Sequence, residues 1–325
     1  MSNSHSRLPD RLFAIITARS CRIIYSSRTH SQLTQVVREL KATGYRPRIT
    51  ILGSREQLCV NPQVSKERGT AQNHLCRSLV AAQACSYFKN VKDFLNKNPM
   101  LPSEQLDVED LVSVGNDYNV CPYFLSRETQ GTAEVMFVPY NYLIDPTIRG
   151  TLAPELLQNA AIVFDEAHNL ESVCHDAASF DLSSGDIASC IDEVSRVIRM
   201  LMAPGFVNKS EVDAEDLAKL KVILLNLEGV LDKQVLSAPP SLSSSSSSSS
   251  SSFASGELQS TRAGTFIYDL FAEVSITPAN VHLVKPLLQQ TVDLLLDDPT
   301  NAAARKKCGL SALINMLNGV FKVCV

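Results

Sequence analysis

Four consecutive residues, Asp165-Glu166-Ala167-His168, could do phosphate chemistry because two carboxylates stand side by side. They directly follow the apolar run Ala160–Phe164, which predicts a buried strand, and ligands in an open α/β sheet bind at the carboxyl ends of its strands. There Asp165 would hold Mg²⁺ through water, and Glu166 would orient or deprotonate an attacking water. His168 would hydrogen-bond a neighbouring element. The alternative is a polar loop whose acids favour the N-terminus of a helix that begins near Asn169.

A phosphate-binding loop of the type G-x-x-x-x-G-K-[ST] does not occur among the 325 residues. Such a loop supplies the backbone N–H groups and the lysine that grip the β- and γ-phosphates of a nucleotide. An acid pair without that loop holds ATP poorly. We therefore expect the chain by itself to be inactive as an ATPase.

A second polar cluster lies between the strand-like run Ile23–Tyr25 and a helical pattern that stops at Gly44. The N–H groups and positive dipole end of a helix N-terminus favour an anion, here a nucleic-acid phosphate. The candidate contacts are Ser27, Arg28, Thr29 and His30. The alternative is simple N-capping by Thr29 or Ser31, and both interpretations can hold together.

Four of the nine cysteines fall in one stretch. They are Cys59, Cys76, Cys85 and Cys121, the last followed by proline. The C-x₂₋₄-C knuckle of structural zinc sites is missing from this stretch. The long, uneven spacing fits an iron–sulfur cluster held by four thiolates; the alternatives are four unrelated buried thiols and a zinc-stabilised scaffold. The other cysteines, Cys21, Cys174, Cys190, Cys308 and Cys324, are interpreted as ordinary thiols in a reducing compartment.

The net charge of −4 conceals a split along the chain. Residues 1–100 carry 16 Lys and Arg against 5 Asp and Glu, whereas residues 101–325 carry 14 against 29. A basic first third indicates a polyanionic partner, unless basic and acidic faces merely pack together. No apolar run is long enough for a membrane span. The absence of tryptophan excludes a reader that stacks bases on that residue.

The pattern of strand, helix and strand over residues 23–52 predicts a βαβ unit and hence a parallel sheet. Residues 56–125 interrupt this rhythm with only short helical patterns, which indicates an insertion into an α/β domain. Apolar runs resume near residue 135, and helical patterns dominate from Leu170 onward. The serine tract Ser243–Ser252 predicts a disordered loop over residues 237–262.

Together these residues resemble the iron–sulfur DNA helicases of superfamily 2, of DEAH type. In-order matches to that family extend over residues 23–185, and similarity thins beyond them. The matching segments are Tyr25–Leu33 (the family's motif Ia), Leu52–Cys59, His74–Cys76, Val120–Tyr123, Pro139–Leu143 and Val163–Asn169.

The resemblance implies an α/β fold: an incomplete RecA-like parallel-sheet motor domain with an inserted Fe–S domain and a helical Arch-like region. The expected order is a divergent lead at 1–22, motor parts at 23–55 and 126–185, the cluster insertion at 56–125, and the Arch-like region at 186–325. Residues 1–22 stand where the family has its P-loop and do not match it. We therefore expect a fragment that lacks the P-loop and the second motor domain.

The resemblance also implies an ATP-dependent 5′→3′ DNA helicase of the nucleus, acting in DNA repair, recombination and telomere maintenance. The catalytic residues for Mg²⁺-ATP would be Asp165, Glu166 and His168, with Asp165 binding the Mg²⁺-ATP. The ligands of a [4Fe–4S] cluster would be Cys59, Cys76, Cys85 and Cys121. The partners would be single-stranded, branched or quadruplex DNA, with no membrane. The alternative is a non-catalytic DNA-binding or regulatory truncation product that retains the cluster.

Overall fold

The computed structural model describes residues 21–204, 212–237, 261–298 and 308–321. They form two compact units, divided between Phe180 and Asp181. The lead predicted at residues 1–22 and the serine loop predicted at 237–262 lie almost entirely outside the described residues. None of the described helices is long and apolar enough to cross a bilayer.

The first unit is built on a four-stranded sheet in the order β2-β3-β1-β4. All of its pairings are parallel, so the predicted α/β class is confirmed. The strands are β1 (Arg22–Ser27), β2 (Ile49–Ile51), β3 (Val135–Pro139) and β4 (Ala160–Phe164). β1 and β3 read as continuous apolar runs because neighbouring strands and both sheet faces enclose them.

The two faces of the sheet bury separate cores. Ile23 and Tyr25 point to one face, and Ile24 points to the other, as the two-residue period of a strand requires. The first face packs against helix α1 (His30–Ala42) through Leu33 and Val37. The second packs against the chain that follows β3, including Tyr142.

The position of β4 corrects the sequence prediction. Its apolar run predicts a buried strand, yet β4 lies at the edge of the described sheet and Ile162 is 45% exposed. A continuous apolar run indicates burial without saying which strand stands on either side. In the described part of the chain only β1 pairs with β4.

The insertion between β2 and β3 is more regular than its sequence predicts, and it packs on the first face of the sheet. Its helices are α2 (Arg55–Leu58), α3 (Gly69–Ala81), α4 (Ser86–Lys97), α5 (Val108–Tyr118) and α6 (Pro122–Thr129). Val91, Leu111 and Leu125 from these helices share one core with Ile23 and Phe137 of the sheet. In the described residues, the insertion therefore shares its core with the first face of the sheet.

Among the described residues, three further helices belong to the first unit and five belong to the second. The former are α7 (Asn141–Ile144), α8 (Pro146–Arg149) and α9 (Leu170–Ala178). The latter are α10 (Ser184–Leu201), α11 (Ala214–Ser237), α12 (Phe266–Glu273), α13 (Val281–Asp297) and α14 (Gly309–Val320). In the second unit the buried carboxylate of Glu193 accepts the backbone N–H groups of Gly309 at 2.8 Å and Leu310 at 2.9 Å. This carboxylate caps α14 from α10, where its charge also favours the helix dipole.

Ion pairs fasten the insertion to α1. Arg38 Nη2 lies 3.0 Å from Glu109 Oε2, and Lys41 Nζ donates to Asp110 Oδ2. Asp107 caps α5 by accepting two backbone N–H groups, including that of Asp110 at 3.0 Å. Burial acts against the charged form of Asp110, but its bonds to Lys41 and to the backbone of Asp107 outweigh this and lower its pKa.

We expect the stability of the first unit to depend on Asp110 at acidic pH. A carboxyl whose pKa is lowered by folding stabilises the protein above its unfolded pKa, and this contribution disappears as the pH falls through the folded pKa. The free energy of unfolding should therefore fall less steeply between about pH 5 and pH 3 in Asp110→Asn than in the wild type. Urea unfolding followed by circular dichroism measures it. The same slope for Asp110→Asn and for the control Asp117→Asn, which changes an exposed residue of the same helix, would refute this assignment.

Candidate functional site

Two of the polar clusters predicted from the sequence meet at the carboxyl edge of the sheet. The backbone N–H of Asp165, just after β4, donates to the carbonyl of Ser26 at the end of β1, at 2.9 Å. Arg28 Nη1 donates to Asn169 Oδ1 at 3.4 Å. Tyr140, which follows β3, donates its hydroxyl to the carbonyl of Asp165. Three strand ends therefore build one site.

Asp165 is oriented by aromatic hydroxyls. Burial, and then the charge and hydrogen-bonding carboxylate of Asp165, raise the pKa of Tyr25. Burial and the carboxylates of Asp165 and Glu166 also raise the pKa of Tyr140. Both phenols therefore stay protonated at neutral pH. Each can serve as a hydrogen-bond donor that fixes the Asp165 loop.

Glu166 occupies a backbone conformation that is unusual for a residue with a side chain. Its φ of 51° and ψ of 44° lie in the left-handed region, and such strain is often found at functional sites. The Glu166 carboxylate is half exposed and lies 3.2 Å from His168 Nδ1. An exposed carboxylate at a strand end is accessible to a water molecule or a nucleotide phosphate.

In the part of the chain that the structure describes, His168 bonds to side chains of its own loop and not to the neighbouring element expected from the sequence. Its Nδ1 faces Glu166, and its Nε2 lies 3.1 Å from Asn169 Nδ2. The short helical turn Ala167–Asn169 folds these side chains back onto their own loop. The link to the β1 loop is made instead by Asn169, through Arg28. The next helix, α9, begins at Leu170, so the acid pair precedes its first turn and does not cap it.

The predicted phosphate contacts separate into exposed and buried groups. Arg28 is exposed and free to meet a phosphate on its solvent side, and Thr29 closes a capping box with Gln32 at the start of α1. Ser27 is fully buried and donates to Gln32 Oε1 at 2.8 Å, which corrects its assignment as a direct contact. Burial lowers the pKa of His30. His30 is therefore a neutral residue at pH 7 and offers no cation to a phosphate.

The four clustered cysteines come from four places in the insertion. Cys59 ends α2, and Cys76 lies within α3. Cys85 and Cys121 are the N-cap residues of α4 and α6. A helix N-terminus favours a thiolate, which is the form that binds metal. At Cys121 the backbone N–H groups of Tyr123 and Phe124 act in this direction, against the larger effect of burial.

The four thiols act on one another electrostatically. Burial raises the pKa of Cys59, and the thiols of Cys76 and Cys85 raise it further. Burial raises the pKa of Cys121 to about 12, with contributions from Cys59 and Cys76. Asn61 Nδ2 donates to Cys85 Sγ at 3.5 Å. Within the described ranges, no group of three or more Cys, His, Asp or Glu side chains surrounds a single-ion position.

An Arg–Tyr–Arg stack beside the cysteines was missed by sequence reasoning. The guanidinium carbons of Arg55 and Arg127 lie 4.2 Å and 4.6 Å from the centre of the Tyr123 ring. The positive charge of Arg55 lowers the pKa of Cys59, against the larger effect of burial. One signal for this stack was present in the sequence, which is that its residues lie close to the cysteines along the chain. Arg55 precedes Cys59 by four residues, and Tyr123 follows Cys121 by two.

Comparisons with known proteins agree with this arrangement. The DEAD_2 family model matches residues 25–187, which include both polar loops and the cysteine-rich insertion. The chain belongs to the DEAD_2 family. Residues 189–324 match a second model, described as "RTEL1 helicase, ARCH domain". The helicase family predicted from the motifs is thereby confirmed.

Relatives of this DEAD_2 chain extend well beyond its length. The regulator of telomere elongation helicase 1 homolog of Oryza sativa subsp. japonica is 39% identical over 313 residues, which cover 92% of this chain and 29% of the relative. The regulator of telomere elongation helicase 1 of Homo sapiens is 39% identical over 319 residues, or 93% and 24% of the two chains. A solved structure titled "XPD_Helicase" matches 97% of this chain and 46% of its own, with a TM-score of 0.43 and 17% identity. The chain thus spans less than a third of the length of these two curated relatives.

The backbone of Glu166 generates a stability prediction. Glycine adopts the left-handed conformation without the cost that a Cβ imposes. We expect Glu166→Gly to be more stable than Glu166→Ala by about 1 kcal/mol. At Glu171, in the first turn of α9, the order should be reversed, because glycine costs about 1 kcal/mol relative to alanine within a helix. Chemical unfolding of the four variants measures both differences in the free energy of unfolding. If the alanine variant is the more stable one at both positions, the backbone of Glu166 is not strained.

Proposed function

We propose that this chain contributes to an ATP-driven 5′→3′ DNA helicase that acts on single-stranded, branched and quadruplex DNA in the nucleus, in repair, recombination and telomere maintenance. The observation that carries the proposal is the junction of the two loops at the carboxyl edge. There the Asp165 N–H bonds the Ser26 carbonyl, and Arg28 bonds Asn169. A group that contacts a DNA phosphate is thereby tied to the loop that would meet a nucleotide. The telomere-related names of the relatives support the class of substrate.

The roles at this edge follow from exposure and bonding. Asp165, oriented by Tyr25, would hold Mg²⁺ through water, and the half-exposed Glu166 would orient the attacking water. His168 holds the Glu166 carboxylate in place. A phosphate that draws on Arg28 competes with Asn169 for the guanidinium, and Asn169 Nδ2 also donates to the Glu166 carbonyl at 3.2 Å. DNA binding at Arg28 would therefore change the hydrogen bonding around the acid pair, Asp165 and Glu166.

We further propose that Cys59, Cys76, Cys85 and Cys121 hold a [4Fe–4S] cluster. In such a cluster each thiolate binds a different iron, so the sulfurs lie farther apart than around one zinc ion. Four thiols that act on one another electrostatically provide the ligand set that such a cluster requires. Three of the four, Cys76, Cys85 and Cys121, are buried, as a cluster shielded from solvent needs. When bound, the cluster would crosslink the four insertion segments and could carry an electron.

The buried side chains around the cysteines support the same conclusion. Arg55 Nε and the side-chain amide of Gln72 are buried without hydrogen-bond partners among the described residues. Unsatisfied buried donors are rare in native proteins and require an explanation. Sulfur atoms with partial negative charge in the same insertion would supply acceptors for such donors.

Loss of any one ligand should reduce cluster loading. We expect chain purified without oxygen to contain iron and acid-labile sulfide and to absorb broadly in the visible range. Serine at Cys59, Cys76, Cys85 or Cys121 should lower the iron content and visible absorbance, whereas Cys174→Ser, which changes an exposed thiol of α9, should leave both unchanged. A colourless wild-type protein with one zinc per chain would contradict the assignment.

DNA binding should depend on Arg28 and on salt. Phosphate contacts release counterions, so affinity should fall steeply as salt rises. We expect Arg28→Ala to weaken binding equally across sequences and to reduce the slope of log affinity against log salt by about one. Arg46→Ala makes the same charge change before β2, at the opposite edge of the sheet, and should have a smaller effect. A flat salt response, or equal losses in the two variants, would contradict this interface.

Nucleotide chemistry separates the helicase from the alternative of a passive DNA-binding module. Because the 325 residues contain no P-loop motif, we expect the purified chain to release no phosphate from ATP above background, with or without DNA. Phosphate release assays measure this. DNA-stimulated hydrolysis that disappears in Glu166→Gln would show that the chain is catalytic on its own. Tight DNA binding without nucleotide binding would favour the passive module for the isolated chain.

A further inference from the structure

Gln72 presents a buried amide that the protein itself does not satisfy. Its side chain is on α3 and only 1% of the residue is exposed. Neither Nε2 nor Oε1 has a hydrogen-bond partner in the described part of the chain. An amide buried without partners costs on the order of 1–3 kcal/mol, so its retention at this place needs a compensating interaction.

Another buried glutamine of the same insertion has hydrogen-bond partners for its amide. Gln105 is 2% exposed, and its Nε2 donates to the backbone carbonyls of Tyr45 at 3.2 Å and Pro47 at 3.5 Å. The fold therefore does supply acceptors to a buried glutamine in the insertion. The unpaired amide of Gln72 is a property of its particular location.

That location is beside a proposed cluster ligand. Gln72 precedes Cys76 by four residues on α3, so the two side chains lie on the same face of the helix. Both are buried, and helical side chains lean toward the N-terminus, which brings the Cys76 side chain toward the turn that carries Gln72. The Cys76 thiol in turn acts on Cys59 and Cys121. Gln72 thus lies one helical turn from a member of the group of four thiols.

We propose that Gln72 donates its amide N–H to a sulfur of the iron–sulfur cluster and so stabilises the reduced, more negatively charged form of that cluster. Hydrogen bonds to cluster or thiolate sulfur raise the reduction potential because the added electron increases the negative charge on sulfur. Gln72 is a tuning residue in the outer shell and not a ligand. The inference rests on the proposed cluster and adds a determinant of its potential.

The reduction potential of the loaded full-length chain tests this role. Gln72→Met keeps the length of the side chain and removes the donor. We expect its potential to be lower than that of the wild type by about 59 mV, a roughly tenfold change in the one-electron reduction equilibrium. Gln63→Met makes the same substitution at an exposed position of the insertion and should leave the potential unchanged. Anaerobic redox titration followed by electron paramagnetic resonance measures all three proteins.

A second variant covers the case in which Gln72→Met does not load. Gln72→Glu keeps the shape and lacks a donor when ionised, so its potential should also fall. A loaded variant with the wild-type potential would overturn the inference even if its stability dropped, because a structural role or a bound water would then explain the amide. Failure of the wild-type chain to bind iron would overturn the proposed cluster itself. The two failures are therefore distinguishable.

Discussion

The first unit depends on the parallel pairing of β2 with β3, which the chain maintains across the whole cysteine-rich insertion. Ile49 and Ile51 pair with Val135 and Phe137 although residues 52–134 lie between them. The entropy of closing such a loop grows slowly with its length, and the insertion offsets that cost by burying its helices in the core of the sheet. The ion pairs between α1 and α5 also connect the insertion to the first helix. The cysteines and the acid pair thus belong to the same compact unit.

The parallel pairing also determines what the carboxyl edge can do. Since β1 is flanked by β3 and β4, the ends of these three strands converge, and their loops must share hydrogen bonds. Ser26, Tyr140 and Asp165 provide them. The two side chains differ in exposure: Arg28 lies exposed at the surface, whereas His30 is partly buried and its pKa is lowered by that burial. The strained backbone of Glu166, just beyond the end of β4, is a local cost that the surrounding hydrogen bonds can sustain.

Much of this arrangement could be predicted from the sequence because it is encoded locally. The apolar run Ile23–Tyr25 predicts β1, and motif matches place the acid pair at a strand end. Features that depend on residues far apart in the sequence could not be predicted in the same way. β4 has the composition of a central strand but is an edge strand of the described sheet, and Ser27 was predicted to contact a phosphate but is buried. The insertion helix α3 is rich in polar residues, so its periodicity is weak. In α4 the residues Phe88, Val91, Phe94 and Leu95 do follow a helical spacing, although only short helical patterns were predicted for this stretch. Whether the amide of Gln72 finds a hydrogen-bond partner depends on which side chains pack around it, and a sequence pattern does not predict that.

The central claim is that the insertion gathers its four cysteines for one cluster, and native mass spectrometry of the anaerobically purified chain tests it most directly. The account predicts a mass increment of four irons and four sulfides per chain, which disappears together with the visible absorbance when an iron chelator is added under oxidising conditions. A chain that carries one zinc ion, or no added mass at all after anaerobic purification with iron and sulfide supplied, would contradict the account.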